Sequence, residues 1–155
     1  HSGRKGETPM KLMQLSLFVE NRPGQLKGPC EALAKAGIDI LTISLADTAQ
    51  FGILRVIVRD WEKARDVLKK EGMVVNVAEV IPVEVDDRPG GLAELLGTME
   101  HEGLDVEYMY AFAVSPRGKA SLIFRFEKPD EALKVLKQKG VRVLQAEELM
   151  AVKGA

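Results

Sequence analysis

The 155-residue sequence contains one cysteine, two histidines and no long apolar segment. Because Cys30 is alone, it excludes an internal disulfide framework and any metal site built from several thiolates. The two histidines leave few acid–base groups, and no Ser/His/Asp, Cys/His or metal-ligand set occurs, so we predict no enzymatic activity and no cofactor. No apolar run approaches about 18 residues, which predicts no membrane span.

Neither sign of charge dominates the chain. Its 22 Lys and Arg residues nearly balance 23 Asp and Glu residues, whereas a nucleic-acid-binding protein needs a clear basic excess. We therefore expect no nucleic-acid partner. A hydrophobic fraction of 46% with 29% charged residues is typical of a globular protein, and the default expectation for its location is the reducing cytoplasm.

What the chain does contain is a repeat. Asn21-Arg22-Pro23-Gly24-Gln25-Leu26 returns as Asp87-Arg88-Pro89-Gly90-Gly91-Leu92, and Gly37-Ile38-Asp39-Ile40 returns as Gly103-Leu104-Asp105-Val106. In both cases the residue numbers differ by 66 (21 to 87, and 37 to 103). Two copies at one spacing indicate a duplicated module with a shared purpose.

Hydrophobic periodicity predicts the element order βαββαβ in each copy. Strands are predicted at Lys11–Glu20, Ile40–Ala46, Phe51–Val58 and Met73–Val80, then at Ile81–Asp86, Val106–Val114, Lys119–Phe126 and Val141–Gln145. Helices are predicted between Gly24 and Gly37, and at Trp61–Glu71, Gly90–His101 and Pro129–Lys139. We accordingly expect modules at residues 11–80 and 81–148, a disordered arm or tag remnant at 1–10 and a tail at 149–155.

Local features sharpen the helix predictions. Leu26, Cys30 and Leu33 lie on one predicted face of the first helix. Pro29 interrupts this pattern, so the helix either begins late, with Pro29 near its first turn, or is distorted in its second turn. Asp60 is a natural N-cap for the second helix.

The element order predicts an α+β fold of two ferredoxin-like units. Each βαββαβ unit with right-handed crossovers forms a four-stranded antiparallel sheet with two helices on one face. We expect the units to pack side by side into one eight-stranded antiparallel sheet, joined through Ile40–Ala46 and Val106–Val114. Since Phe51–Val58 is apolar on both sides, we also expect a homodimer built on the sheet face opposite the helices.

The two Pro-Gly turns are the candidate binding elements. A turn between a strand and a helix leaves backbone N–H groups at the positive end of the helix dipole, where a carboxylate binds well. The alternative is a purely structural tight turn, in which Pro sets φ and Gly supplies flexibility.

The repeated order, with Asn-Arg-Pro-Gly-x-Leu after the first strand and Gly-Ile-Asp-Ile before the second, resembles the ACT domain. Residues 11 to 148 resemble two ACT modules in tandem. The resemblance implies a regulatory protein that binds a free amino acid. It places the ligand where the first loop of one module meets the start of its partner's second strand.

Carried over to this sequence, the resemblance implies two sites with departures from the family pattern. The Asn of the loop is Asp87 in the second copy, and the Asn that often faces the loop is Asp39 or Asp105. A histidine found before the loop in serine-binding members is Val19 or Val85, so serine specificity is not implied. The implied ligand-binding residues are Asn21, Arg22, Pro23, Gly24, Gln25, Leu26, Asp39, Ile40, Asp87, Arg88, Pro89, Gly90, Gly91, Leu92, Asp105 and Val106.

Tyr108, Tyr110 and Phe112 lie on one face of the fifth predicted strand. They form either cross-strand packing or a ligand wall, and we include Tyr108 and Tyr110 in the candidate site. We weigh three alternatives against amino-acid binding. They are an RNA-recognition module, which shares the βαββαβ order, a small enzyme, and a ligand-free ACT scaffold or regulatory subunit that acts only through protein–protein contacts. A regulated metabolic enzyme is a further predicted partner.

Overall fold

The computed structural model describes residues 11–20, 22–47, 50–115 and 118–149. In chain order the elements are β1 (Leu12–Glu20), α1 (Lys27–Lys35), β2 (Ile40–Asp47), β3 (Phe51–Val58), α2 (Trp61–Lys70), β4 (Val75–Asp86), α3 (Gly91–His101), β5 (Val106–Ser115), β6 (Lys119–Phe126) and α4 (Pro129–Gln138). The chain divides into two compact units. We call Met13–Glu79 the first module and the described residues from Val80 onward the second module.

Six strands, all antiparallel where their pairing is described, follow the hydrogen-bonded order β2-β3-β1-β4-β6-β5. The predicted eight strands are therefore wrong, for two reasons. No turn interrupts β4, so the closing strand of one copy and the opening strand of the next form one strand of 12 residues. The predicted closing strand at Val141–Gln145 is reduced to a single bridge between Val83 and Val143. The prediction that β2 and β5 pair with each other is also wrong, because they end the strand order at opposite sides.

The core of the first module lies between its two helices and one face of its strands. Leu15 and Leu17 of β1 and Leu54 and Val56 of β3 share a face because Leu15 pairs with Val56 and Leu17 with Leu54. All four are buried in one cluster with residues of α1 and α2. Burying each such side chain stabilises the fold by roughly 1.5–3 kcal/mol.

Helix α1 buries a face that overlaps the predicted one at Leu33. Pro29, Ala32 and Leu33 are buried, whereas Cys30 is only half-buried and Leu26 is exposed. The helix begins at Lys27, so Pro29 occupies its first turn, which was the first of the two alternatives. A missing N–H is tolerated there because the first amides of a helix have no partner within it.

Helix α2 begins at the predicted cap. The Lys63 N–H donates to Asp60 Oδ1 at 3.1 Å, so the N-cap prediction is confirmed. The Lys63 Nζ donates to the Ala36 carbonyl at 2.9 Å, which links the end of α1 to the start of α2.

The second module repeats this core. Leu95 and Met99 of α3 and Leu136 of α4 are buried against β4 and β6. Phe124 and Phe126 stack with ring centroids 5.6 Å apart. Offset stacking at this separation stabilises beyond the area that the rings bury.

The sheet face opposite the helices is partly covered within the single chain. Because Val56 faces the helices, Ile57 points to the other face, and yet it is fully buried. Ile57 therefore offers no surface to a second chain, whereas Phe18, which pairs with Ile53 on the same face, is 57% exposed. The homodimer stays a prediction. None of the helices in the described residues is long and apolar enough to cross a membrane.

Candidate functional site

The first Pro-Gly turn closes on itself. The Gln25 N–H donates to the Arg22 carbonyl at 3.3 Å, and Gly24 has a φ of 88°. Proline at the second position and a left-handed residue at the third define a type II turn, and glycine adopts that conformation without steric conflict. Asn21, which was predicted to belong to this site, lies outside the described residues.

The second turn has the same backbone. The Gly91 N–H donates to the Arg88 carbonyl at 3.0 Å, and Gly90 also has a φ of 88°. Gly91 adds a tighter constraint, because a Cβ at this position would collide with the Asp86 carbonyl oxygen. The first module carries Gln25 at the corresponding position. The two turns thus share their hydrogen bonds but differ in how closely they approach the preceding strand.

These bonds correct one expectation about the turns. The N–H groups of Gln25 and Gly91 were expected to be available to a ligand carboxylate, but each closes its own turn. One residue further on, the N–H groups of Leu26 and Leu92 make no hydrogen bond to another described residue. In each copy, the leucine amide therefore stays a candidate to receive a ligand, as does the amide of the turn glycine, Gly24 or Gly90, which also has no partner among the described residues.

The second turn is held by a chain of charges that we call the latch: Lys119, Asp86, Arg88 and Glu94. Lys119 pairs with Asp86 in the strand register and donates a hydrogen bond to its carboxylate. The Arg88 Nε lies 3.6 Å from Asp86 Oδ2, and its Nη2 donates to Glu94 Oε2 at 2.8 Å. Both ends of the Arg88 guanidinium are thereby engaged.

The latch also affects protonation. The hydrogen bond from Lys119 holds the pKa of the Asp86 carboxyl below its usual value. The Glu94 carboxylate, hydrogen-bonded to the guanidinium, raises the pKa of Arg88. Both groups consequently keep their charges at neutral pH. They line a groove of about 340 Å³ together with Leu95, Thr98 and Arg142.

The first turn has no latch. Arg22 forms an ion pair with Glu20, but Phe51 pairs with Glu20 in the strand register, where Lys119 pairs with Asp86. The position that corresponds to Glu94, 66 residues earlier, is Gly28, which has no side chain to pair with Arg22. Among the described residues, Arg22 therefore has one carboxylate partner where Arg88 has two.

Beside the first turn lies an open cleft of about 280 Å³, which we call the first cleft. Its lining combines apolar and charged groups from the end of β1, the turn, and the hairpin between β2 and β3. The lining residues are Val19, Glu20, Arg22, Leu26, Leu45, Asp47 and Gly52.

The predicted facing residues, which the resemblance places opposite the loop of a partner module, lie away from the turns of their own modules. In the register of β2 and β3, Ile40 pairs with Val58, and Asp47 pairs with Gly52 at the end near the first turn. Asp39, just before Ile40, therefore lies at the far end of its sheet. The same register separates Asp105 and Val106 from the second turn, because Val106 pairs with Phe126.

The two tyrosines of β5 are half-buried. Tyr108 lies opposite Arg125, and Tyr110 opposite Ile123. Neither lines the groove beside the second turn, so their role as a ligand wall stays a prediction.

Sequence reasoning included Arg88 of the latch but missed its other three residues, and it missed most of the first cleft. Glu20 and Asp86, which precede the two motifs at the same spacing, were a visible signal. Lys119, Asp47 and Gly52 reach the turns through strand pairing, which motif spacing does not reveal. Within the described part of the chain, no group of three or more His, Cys, Asp or Glu residues could hold a metal ion.

The sequence matches the family described as ACT domain pair over residues 10–153. The chain belongs to this family, whose members are typically regulatory and bind ligands. Protein BT0572 from Bacteroides thetaiotaomicron is 40% identical, over 91% of this chain and 96% of that one, with a TM-score of 0.82. No curated protein matches the sequence.

More distant structures share the fold. The ligand-free regulatory subunit of aspartate kinase from Thermus thermophilus is 18% identical, over 83% of this chain and 91% of that one, with a TM-score of 0.60. The subunit from Thermus flavus is also 18% identical, over 83% of this chain and 92% of that one, with a TM-score of 0.60. At this identity the likeness concerns the fold alone.

Proposed function

We propose that the chain is a non-catalytic regulatory protein that reversibly binds a free amino acid at its ACT turns. The single observation that carries this proposal is the first cleft, where a guanidinium, two carboxylates and exposed leucines meet beside an amide that has no partner among the described residues. Membership of the ACT domain pair family supports the same class of function.

Each charged group of an amino acid has a complementary group at the first turn. A ligand carboxylate can accept from the Arg22 guanidinium, which has five N–H donors and, in the described part of the chain, one carboxylate partner, and from the Leu26 N–H. A ligand α-ammonium can donate to Asp47 or Glu20, since hydrogen bonds between two charged groups are about twice as strong as neutral ones. The remaining turn residues hold this arrangement in place.

A melting-temperature screen against the twenty amino acids tests the function. A ligand that binds only the folded state stabilises it by about 2.7 kcal/mol at one hundred times its dissociation constant. We expect one or a few amino acids to raise the melting temperature. Their carboxamide derivatives, which lack the carboxylate, serve as controls and should give no shift.

If no amino acid raises the melting temperature at millimolar concentration, the binding function is wrong. The alternative, a ligand-free scaffold acting through protein contacts, then takes its place.

Asp39 and Asp105 stay predicted ligand contacts, together with Ile40, Val106, Tyr108 and Tyr110. Both aspartates are exposed, so Asp39→Ala and Asp105→Ala should leave the unliganded melting temperature nearly unchanged. If the aspartates bind the α-ammonium, the variants reduce the ligand-induced shift. Equal shifts in the variants and the natural protein would remove both residues from the site.

The predicted partners are a second copy of the chain and a regulated metabolic enzyme. The homodimer is tested by light scattering at tens of micromolar, where a dimer with a dissociation constant of about 1 μM persists. A monomeric mass at that concentration would exclude it. The enzyme partner and the cytoplasmic location stay predictions.

A further inference from the structure

We infer that the first cleft alone takes the ligand, and that this ligand is an amino acid with an apolar side chain. This inference rests on the proposed function and adds the ligand class and the number of sites per chain. It follows from four features of the first cleft: its apolar wall, a missing methyl group, its charges and its size.

The apolar wall consists mainly of two exposed leucines. Leu26 is 43% exposed and Leu45 is 53% exposed, and both line the first cleft with Val19. Leu45 pairs with Leu54 on the helix-facing side of β2. An apolar ligand side chain placed here would remove both leucines from water, which a polar side chain could not do without losing its own hydration.

Gly52 makes room for such a side chain. A Cβ at this position would lie 2.9 Å from Leu45 Cδ1 and 3.2 Å from Val19 Cγ2. In the second module Ala120 pairs with Val85 as Gly52 pairs with Val19. At this position the floor of the first cleft thus differs from the corresponding surface of the second module by one methyl group.

The charges of the first cleft suit a zwitterion. Arg22 supplies a cation, while Glu20 and Asp47 supply two carboxylates. Asp47 forms no ion pair with another described residue, so an ammonium group can bind it without displacing any of them. These groups line the same cleft as the apolar wall, as expected for a ligand with a charged backbone end and an apolar side chain.

The volume of the first cleft also suits a free amino acid. The volume of about 280 Å³ equals that of about nine water molecules, at about 30 Å³ each. This is enough for a single amino acid with a branched or aromatic side chain.

The groove beside the second turn is larger, at about 340 Å³, and is also charged, but it lacks the apolar wall and the missing methyl group. Ala111 pairs with Leu122 where Leu45 pairs with Leu54, which removes the wall. The latch occupies both ends of the Arg88 guanidinium, so a ligand carboxylate would have to displace Glu94. The second turn is therefore structural.

Isothermal titration calorimetry with the intact chain tests the inference. Leucine, isoleucine, valine, methionine and phenylalanine are compared with serine, lysine and aspartate. We expect about one ligand per chain, with the best apolar amino acid bound at least about tenfold more tightly than any polar one, a difference of 1.4 kcal/mol.

Gly52→Ala and Ala120→Gly form a matched pair. Gly52→Ala should weaken binding at least about tenfold (1.4 kcal/mol), because the new methyl group pushes Leu45 Cδ1 into the first cleft. Its unliganded melting temperature should change little, since the displaced atom is the end of a flexible side chain. Ala120→Gly should leave the affinity unchanged. Leu45→Ser, at an exposed position, is the second variant, and it should weaken apolar ligands if Gly52→Ala fails to fold.

The outcomes separate this inference from the proposed function. Two ligands per chain, equal weakening by both members of the pair, or unchanged affinity in Leu45→Ser would overturn it. Preference for a polar amino acid would overturn it as well, while leaving the amino-acid-binding function intact. Absence of binding by every amino acid would overturn both.

Discussion

The first and second turns have the same backbone and different surroundings. In each, a proline and a left-handed glycine form a turn closed by an amide three residues after the arginine. Arg88 pairs with both Asp86 and Glu94, and Asp86 also pairs with Lys119. Arg22 forms an ion pair with Glu20, and both residues line an open cleft together with apolar side chains.

This difference shows that the turn motif does not define a binding site by itself. The motif places an arginine and a free amide at the end of a strand. Whether a ligand can use them depends on residues that reach the turn from the neighbouring strand and helix. Lys119 and Phe51 occupy equivalent register positions. Lys119 brings a second cation to the carboxylate that pairs with the arginine, whereas Phe51 brings no charge.

The largest stability difference between the turns is expected at Gly91. Gly91→Ala places a methyl group against the Asp86 backbone, which should lower the free energy of unfolding by about 1–3 kcal/mol. Gln25→Ala, at the corresponding position, adds no atoms and should change it by less than about 0.5 kcal/mol. Urea unfolding curves measure both.

Gly97→Ala is the control for the effect of a methyl group on helix α3. Its Cβ meets no other atom within 4 Å, so it should stabilise the helix by about 0.5–1 kcal/mol. Equal destabilisation by Gly91→Ala and Gln25→Ala would show that the second turn is no tighter than the first.

The shared backbone predicts a smaller effect that is equal in the two modules. Gly24→Ala and Gly90→Ala force an L-residue to adopt a φ of 88°, which should destabilise each variant by about 1–2 kcal/mol. Neither new Cβ would be in a close contact, so conformational strain alone acts. A clear inequality, again in urea unfolding, would mean that the two backbones differ.

The smallest effect concerns pH. Because Lys119 lowers the pKa of Asp86 in the folded state, the pair stabilises the fold fully above the unfolded pKa of about 3.9. This contribution disappears as pH falls through the lower folded pKa. The stability difference between the natural protein and Lys119→Met should thus be constant at neutral pH and shrink in acid.

Phe51→Met is the matched control in the first module. It removes no charge, so the stability difference between the natural protein and Phe51→Met should not shrink in acid as that of Lys119→Met does. An identical pH dependence in both variants would show that the latch does not cause the effect. The measurement is the urea midpoint at a series of pH values.

Periodicity and turn chemistry predicted the element order because they act locally. Pro23 and Gly24, or Asp60 before α2, determine structure within a few residues. The strand count could not be predicted, because nothing local decides whether Val75–Asp86 is one strand or two. The latch and the first cleft depend on strand register: Lys119 reaches Asp86 from 33 residues away, and motif spacing contains no such information.

The unbonded amides next to the two turns have a consequence for hydrogen exchange. Backbone N–H groups closed into a turn exchange slowly with solvent, whereas the Leu26 and Leu92 amides, which lack a described partner, should exchange rapidly. A ligand carboxylate that accepts from Leu26 would slow its exchange and leave Leu92 unchanged. The pair of leucines therefore provides a reporter and its internal reference within one molecule, without any substitution.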